Sequence, residues 1–242
     1  MKLVLIRHGD PDYTIDSLTE KGRREADILS ERVSRMKIDK IYVSPLGRAA
    51  DTAAPSLKKL HAGAVTCEWL KEFSPRIDRP DHPDCSICWD WLPQDWTEDE
   101  RYYRADQWYD TEIMKAGHVR EEYERVTSSF DELLAAHGYR REGKFYRAER
   151  ANNDTIVFFC HFGLICVLVS HLTGISPMPL WHGLCLAPTS VTTIVTEERR
   201  KGIASFRATA LGDISHLYAV GEPPAFAARF CECYDNADER HD

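Results

Sequence analysis

Three segments of the 242-residue chain share one pattern, in which a short apolar run ends at a tight turn that carries Arg or His and a helical pattern follows. The segments are Leu5-Ile6-Arg7-His8-Gly9, Val43-Ser44-Pro45-Leu46-Gly47-Arg48-Ala49 and Phe159-Cys160-His161-Phe162-Gly163. Short apolar runs bounded by turns predict buried strands, and strands that alternate with helices predict a parallel sheet. The sequence therefore predicts an α/β fold, specifically a three-layer α/β/α sandwich whose central sheet is mostly parallel.

Other segments extend this prediction. Buried strands are predicted at 2–6, 41–43 and 155–160, a short strand around 65–67, and helices from Thr19, from Pro45 to Leu60, and over 119–137 and 162–173. The runs 191–196 and 203–210, separated by Lys201-Gly202, predict an antiparallel pair at the edge of the sheet, and a hairpin is predicted around Glu142-Gly143. The last twenty residues contain two prolines and a charged end, and we expect them to be loosely packed.

Residues 73–118 break the alternation of strands and helices. They contain four prolines and four of the six tryptophans. Between positions 81 and 110 there are nine acidic residues and only two basic ones. We interpret them as a lid inserted into one domain that spans 1–242. Its aromatic residues are expected to form a small core for the lid, with the alternative that one or two rings contact the organic part of a substrate.

Composition and charge restrict the function classes. The formal net charge is -8 with a pI near 5.7, and such a surface repels nucleic acid and anionic membranes. The first apolar run is too short for a signal peptide, and no apolar stretch reaches the roughly 18 residues of a membrane span. We therefore expect a cytoplasmic protein with reduced cysteines and without nucleic-acid or membrane partners.

The basic residues of the three segments follow strands whose carboxyl ends meet at one edge of the sheet, where ligands of open α/β sheets bind. Two arginines and two histidines would converge there. Arg is suited to phosphate because its guanidinium group can donate two parallel hydrogen bonds to the phosphate oxygens. The sequence therefore predicts an anion site formed by Arg7, His8, Arg48 and His161.

These motifs, with Ser44-Pro45-x-x-Arg48-Ala49-x-x-Thr52-Ala53 and Leu70-Lys71-Glu72, resemble the histidine phosphatase superfamily, in its phosphoglycerate mutase-like branch. The resemblance covers residues 1–72 and about 150–220. It implies that His8 is the nucleophile, that Arg7, Arg48 and His161 hold the phosphoryl oxygens, and that Glu72 is the general acid. Three further assignments follow from it with less support, namely substrate binding by Thr14 and a supporting role behind the site for Ser44 and His216.

Elementary chemistry requires these residue types. A nucleophilic imidazole must be neutral, and neighbouring arginines lower its pKa by disfavouring a second positive charge. The leaving alkoxide needs a proton, so the acid must be protonated when substrate is bound. Fixed arginines stabilise the charge of the phosphoryl group, and we therefore expect neither a metal nor a cofactor. Glu68 and the carboxylates of the lid stay open as alternatives to Glu72.

The chain departs from the Arg-His-Gly-x-Ser-x-x-Asn start of the mutases, because Pro11 replaces the Ser and Thr14 the Asn. This favours a phosphoric monoester hydrolase acting on a small phosphorylated substrate. The alternatives are a mutase-type phosphotransferase and an inactive protein that binds phosphorylated ligands. The residue before the second histidine, usually Gly, is Cys160.

Two further features stay open. The spacing of His82, Cys85 and Cys88 is typical of a metal site, but free thiols explain it with fewer assumptions because structural zinc usually takes four ligands. The apolar residues around Trp181 (Leu180, Leu184 and Leu186) fit either burial in the same chain or contact with a second subunit of a homodimer.

Overall fold

The computed structural model describes residues 1–79, 86–227 and 229–241. The strands, in chain order, are β1 (Lys2–Arg7), β2 (Pro11–Asp12), β3 (Ser17–Leu18), β4 (Lys40–Val43), β5 (Val65–Thr66), β6 (Arg76–Ile77), β7 (Ser86–Ile87), β8 (Tyr139–Glu142), β9 (Phe145–Ala148), β10 (Thr155–Cys160), β11 (Val191–Arg200) and β12 (Ile203–Asp213). The α-helices are α1 (Glu20–Val33), α2 (Gly47–Leu60), α3 (Pro93–Trp96), α4 (Glu112–Ala116), α5 (Val119–Ala136), α6 (Phe162–Thr173), α7 (Pro177–Gly183) and α8 (Ser215–Tyr218). Short 3-10 turns occupy Glu68–Leu70, Glu100–Tyr103 and Trp108–Asp110.

The central sheet has eight strands in the order β5-β4-β10-β1-β11-β12-β9-β8. Strands β5, β4, β10 and β1 are mutually parallel, and the remaining four are antiparallel to their neighbours. The predicted parallel core and antiparallel edge are confirmed. The edge is wider than expected because the predicted hairpin, β8–β9, continues the sheet from β12.

Alternate residues of the central strands bury on opposite faces of the sheet, as the period of a strand requires. Leu3 and Leu5 pack on the face covered by α5 and α6. Val4 and Ile6 pack on the other face, against α1 and α2. Because both faces are covered, the strands are continuously apolar, and the predicted three-layer α/β/α arrangement is confirmed.

The described part of the inserted segment does not have a hydrophobic core of its own, contrary to the sequence-based expectation. Trp91, Trp96, Tyr102 and Trp108 are buried and belong to the same cluster as the sheet and α6. Trp108, for example, packs edge-on against Trp181 of α7 at 5.4 Å. An aromatic ring is buried only against a large apolar surface, and the sheet, α6 and α7 supply that surface.

The region around Trp181 is explained by burial in the same chain. Leu180, Trp181 and Leu186 are buried within the described structure, and Leu184 packs partly against the same cluster. These side chains therefore give no support to a homodimer, which stays a prediction. Within the described ranges, no helix combines the length and the apolar character needed to cross a bilayer.

Candidate active site

The structure places the two histidines side by side at the carboxyl edge of the sheet. Strands β1 and β10 pair in register up to Arg7 and Cys160, so His8 and His161 follow at the same level. The backbone N–H of His8 continues the ladder by donating to the carbonyl of Cys160 at 3.0 Å. The ring centroids of the two histidines lie 5.2 Å apart. The edge position predicted for both residues follows directly from this register.

The imidazole of His8 is held in one tautomer. Nδ1 lies 2.8 Å from the carbonyl oxygen of Gly9, which only accepts, so Nδ1 must carry the hydrogen and Nε2 the lone pair. The ring is 1 % exposed, and burial, together with the positive charges of Arg7 and Arg48, holds its pKa well below the ordinary value of 6.5. His8 therefore presents a neutral, oriented nitrogen, which is what attack on phosphorus requires.

A buried threonine couples this turn to the second segment. The hydroxyl of Thr52 accepts the Gly9 N–H at 2.9 Å and donates to the carbonyl of Arg48 at 2.7 Å. Thr52 lies one helical turn after Arg48 on α2, so its spacing in the motif was a usable signal, although its role was not predicted.

Arg7 enters the site from a buried position. It is 5 % exposed, its Nη1 donates to the carbonyl of Leu186 at 2.5 Å, and its guanidinium lies 5.6 Å from the ring centroid of Phe162. Its buried Nε has no hydrogen-bond partner in the described part of the chain. Neutral partners therefore orient the guanidinium and leave its charge available to an anion.

Arg48 is held by a carboxylate that sequence reasoning missed. Its Nη1 donates to Asp16 Oδ1 at 2.6 Å, and Oδ2 of the same carboxylate accepts the Gly47 N–H at 2.7 Å. Partial burial has the largest single effect on the pKa of Asp16 and raises it, but these bonds and the charge of Arg48 together outweigh burial and hold the pKa below its ordinary value. Asp16 lies in a loop with a positive φ of 47° and in no periodic pattern, so nothing in the sequence singled it out.

His161 is anchored by Ser44. His161 Nε2 and Ser44 Oγ are 2.8 Å apart, and both side chains are fully buried. Burial and the charges nearby hold the pKa of His161 well below 6.5. Its buried Nδ1 lacks a hydrogen-bond partner among the residues described, as do the buried Nε atoms of Arg7 and Arg48. Buried polar atoms are rarely left unpaired, and an anion seated among these three side chains would account for them.

Glu72 lies behind the start of α6. Its Oε1 accepts two backbone N–H groups, from Phe73 at 2.9 Å and from Leu164 at 3.0 Å. Burial outweighs these bonds and raises the pKa of the carboxyl above 4.5. The close approach requires glycine at 163, where a Cβ would lie 2.8 Å from Oε1 and 2.6 Å from Nε1 of Trp89. Because Oε1 accepts both backbone bonds, a proton taken up by the carboxyl group would lie on Oε2.

His216 does not contact His8 directly and is linked to it through Thr189. Its Nδ1 faces the Arg32 guanidinium at 3.4 Å, which only donates, so Nε2 carries the hydrogen and lies 3.2 Å from the Thr189 hydroxyl. The backbone N–H of Thr189 in turn donates to the carbonyl of His8 at 3.1 Å. Burial lowers the pKa of His216 to about 4, so this histidine is neutral around pH 7.

Two sets of predicted residues are not brought into the site. The side chain of Thr14 is exposed and its hydroxyl donates to Asp12 at 2.6 Å, so substrate binding by Thr14 stays a prediction. His82 and Cys85 lie outside the described residues, and Cys88 is buried with its thiol pKa raised by burial. Among residues 1–79, 86–227 and 229–241, no three His, Cys, Asp or Glu side chains are grouped as a metal ion would need.

The C-terminal segment corrects another expectation. Ala225 is buried and its N–H donates at 2.9 Å to Glu25, a buried carboxylate of α1. The other oxygen of Glu25 accepts the N–H of Asp10, two residues from His8, at 3.1 Å. The segment after the two prolines is therefore fixed to the loop that follows His8, rather than loosely packed throughout.

A model of the histidine phosphatase superfamily, branch 1, matches residues 3–209. Phosphoserine phosphatase 1 of Hydrogenobacter thermophilus is 26 % identical over 219 residues, which are 86 % of this chain and 93 % of that protein. A 2,3-bisphosphoglycerate-dependent phosphoglycerate mutase of Mycobacterium leprae is 28 % identical over 142 residues, covering 53 % of this chain and 47 % of the relative.

Solved structures agree with the fold. A phosphoserine phosphatase mutant of Entamoeba histolytica, in complex with phosphoserine, superposes with a TM-score of 0.56 at 20 % identity, over 89 % of this chain and 98 % of that one. A mycobacterial glucosyl-3-phosphoglycerate phosphatase gives the same TM-score at 17 % identity, over 87 % and 98 % of the two chains. At this level of identity, the likeness establishes the shared architecture alone.

Proposed function

The chain belongs to the histidine phosphatase superfamily, and on that premise we propose that it hydrolyses a small phosphate monoester through a phosphohistidine on His8. The observation that carries the proposal is the fixed tautomer of His8, whose Nε2 bears a lone pair and whose imidazole is kept neutral by burial and by the charges of Arg7 and Arg48. Among the described residues no hydrogen bond occupies that nitrogen, so it is free to attack.

The proposed reaction has two steps. In the first, His8 Nε2 forms a bond to phosphorus, the ester P–O bond breaks, and the leaving oxygen takes the proton of Glu72. In the second, water gives a proton back to Glu72 and attacks phosphorus, and the P–N bond breaks to release inorganic phosphate and neutral His8. Arg7, Arg48 and His161 stabilise the charge on the phosphoryl oxygens in both steps. The proposed mechanism needs no metal, because the two arginines supply the positive charge.

Hydrolysis is favoured over mutase chemistry. Pro11 forms part of the small β2–β3 pair with Leu18, and Thr14 is bonded to Asp12, so neither residue offers the Ser and Asn of the mutases. The phosphatase of Hydrogenobacter thermophilus also aligns over most of both chains, whereas the mutase aligns over about half of each. A mutase must transfer the phosphoryl group back to its bound intermediate before water hydrolyses the phosphohistidine. The features described here give no support to such protection from water.

The test is hydrolysis of 4-nitrophenyl phosphate in the presence of a chelator. We expect activity in the native protein and its loss in His8→Ala, while His118→Ala, a change of an exposed histidine on the inserted segment, keeps it. Brief reaction with radiolabelled ester should leave a label on the native protein that is stable to alkali and labile to acid, as a phosphohistidine is. Full activity in His8→Ala would overturn the proposal.

A further inference from the structure

A cavity of about 680 Å³ lies beside the anion site, with Arg7 in its wall. Cavities of about 300–1,000 Å³ accommodate drug-sized ligands. The phosphoryl group of a substrate occupies only the end at Arg7, so most of the volume faces the alcohol part of the ester. An alcohol as small as serine would leave that volume to water.

The walls of the cavity are largely aromatic. The rings come from the inserted segment, from α6 and α7, and from the C-terminal segment, namely Trp89, Trp91, Trp96, Phe162, Trp181 and Phe230. Aromatic faces bind other planar rings by stacking and edge contacts in addition to the gain from apolar burial. The cavity is therefore suited to an aromatic group more than to a polyol or an amino acid.

One aromatic wall begins at the anion site itself. The ring of Phe162 lies 5.6 Å from the guanidinium of Arg7 and meets the ring of Trp89 edge-on at 5.5 Å. Trp89 is fixed because its Nε1 donates to the carbonyl of Phe73 at 2.7 Å. The rings are thus ordered before binding, which reduces the entropic cost of forming a complex.

The second wall is ordered in the same way. The ring of Trp96 stacks on His182 at 4.8 Å, and His182 Nε2 accepts the backbone N–H of Trp91 at 2.9 Å. The other ring nitrogen of His182 lies 2.7 Å from the carbonyl of Met178, so it carries the hydrogen and the imidazole is neutral. This wall therefore offers flat, uncharged surface to a ligand.

Residues of both charges lie around the cavity. Among the described residues, Arg7, Arg229, Arg240 and Asp90 line it, and Arg229 also pairs with Glu232. Arg229 and Arg240 lie over the rings of Phe226 and Phe230, at 4.9 Å and 4.0 Å. The two arginines at this end of the cavity therefore lie on aromatic faces of the C-terminal segment.

We propose that the substrate is a small-molecule monophosphate of an alcohol with a planar aromatic ring system, which packs between the phosphoryl site and the tryptophan walls. The inference rests on the proposed function and specifies its substrate class. The C-terminal residues 227, 229, 230 and 240 form part of the wall, so a phosphorylated protein would have to displace them, and we therefore favour a small molecule.

The test compares three esters that all release a primary alcohol, so that leaving-group basicity differs little. They are 2-naphthylmethyl, cyclohexylmethyl and propyl phosphate, assayed by release of inorganic phosphate. We expect kcat/KM for the naphthylmethyl ester to exceed that for the propyl ester by at least about 100-fold, with the cyclohexylmethyl ester in between. In Trp89→Leu, and separately in Phe230→Ala, the ratio should fall at least about tenfold. Tyr218→Leu, a change of an exposed ring that does not line the cavity, should keep it.

The outcomes separate this inference from the proposed function. Similar kcat/KM values for the three esters, with a phosphohistidine still formed, would overturn the substrate class and leave the phosphatase standing. Faster hydrolysis of a phosphotyrosyl protein than of the naphthylmethyl ester would overturn the small-molecule assignment. Failure of all esters to label His8 would instead overturn the proposed function.

Discussion

At the scale of single residues, each proposed site residue uses one polar atom as an anchor and keeps another for chemistry. His8 is anchored through Nδ1 and His161 through Nε2, and Glu72 through Oε1. The two arginines are each anchored through Nη1. Side chains fixed in this way need little reorganisation when charge develops on a phosphoryl group, and electrostatic stabilisation depends on that property.

The first prediction concerns the proton of Glu72. Glu72→Gln should lower kcat/KM for propyl phosphate, which reports the first step and not the later hydrolysis of the phosphohistidine, by about 10²- to 10⁴-fold, the usual range for loss of a general acid. The loss should be much smaller for 4-nitrophenyl phosphate, because nitrophenolate leaves without a proton. Steady-state kinetics on both esters measure the difference.

The control for that experiment is Glu68→Gln. Glu68 is exposed and pairs with Lys71 at 2.7 Å, so its change should leave both rates intact. An equal loss with both esters in Glu72→Gln would show that the carboxyl group does not act as the acid. A loss of activity toward propyl phosphate in Glu68→Gln would instead support Glu68 as the general acid, the alternative left open by the sequence.

At the scale of elements, the sequence predicted the site because strand periodicity and strand ends are local signals. The apolar runs ending at Arg7, Val43 and Cys160 placed the basic residues at one edge, and the parallel register produced the convergence. The contact of Asp16 with Arg48 could not be predicted, because it joins a loop without periodicity to a helix 32 residues away. The path of the C-terminal segment could not be predicted for the same reason, because side chains of the distant helix α1 hold it, Glu25 at Ala225 and Lys21 at Glu222.

The second prediction concerns Asp16, which acts through Arg48 and is therefore a positioning residue. Asp16→Asn removes the charge that holds the guanidinium, so we expect the inhibition constant of inorganic phosphate to rise roughly 10- to 100-fold. Thermal stability should change little, because the carboxylate is 42 % exposed and such pairs contribute weakly.

Asp12→Asn is the matched control for this variant. Asp12 lies close to Asp16 in the chain and its carboxylate bonds only to Thr14 in the described structure, so its change should leave the inhibition constant as it is. A large fall in melting temperature with unchanged phosphate affinity would instead give Asp16 a purely structural role.

At the scale of the whole molecule, the fully buried Glu25 joins the loop after His8, at Asp10, to the C-terminal segment, at Ala225. Burial raises its pKa to about 7 from an ordinary value of 4.5. The folded protein therefore binds this proton more tightly than the unfolded chain. The resulting stabilisation is complete below about pH 4.5 and is lost as the pH rises through about 7.

The third prediction follows from this linkage. Glu25 should make the free energy of unfolding about 3 kcal/mol lower at pH 8 than at pH 4.5. Glu25→Gln does not titrate, so urea unfolding at several pH values should lose this contribution, although the amide also destabilises the fold by facing a backbone N–H. Glu20→Gln, on the exposed side of the same helix, should retain the full pH dependence. An unchanged slope in Glu25→Gln would assign the pH dependence to other groups.

The reactive centre and the walls of the cavity come from different stretches of the chain. His8, the two arginines and His161 lie at or just after strand ends, whereas the walls are formed largely by residues from 87–96, 181–185 and the C-terminal positions 227, 229, 230 and 240. Substitutions in the cavity walls alter which alcohol fits, and they do not disturb the strand register that aligns the residues of the anion site. Reactivity and selectivity can therefore be inherited separately, and a lineage that keeps the strand ends is free to acquire new substrates by drift in the walls.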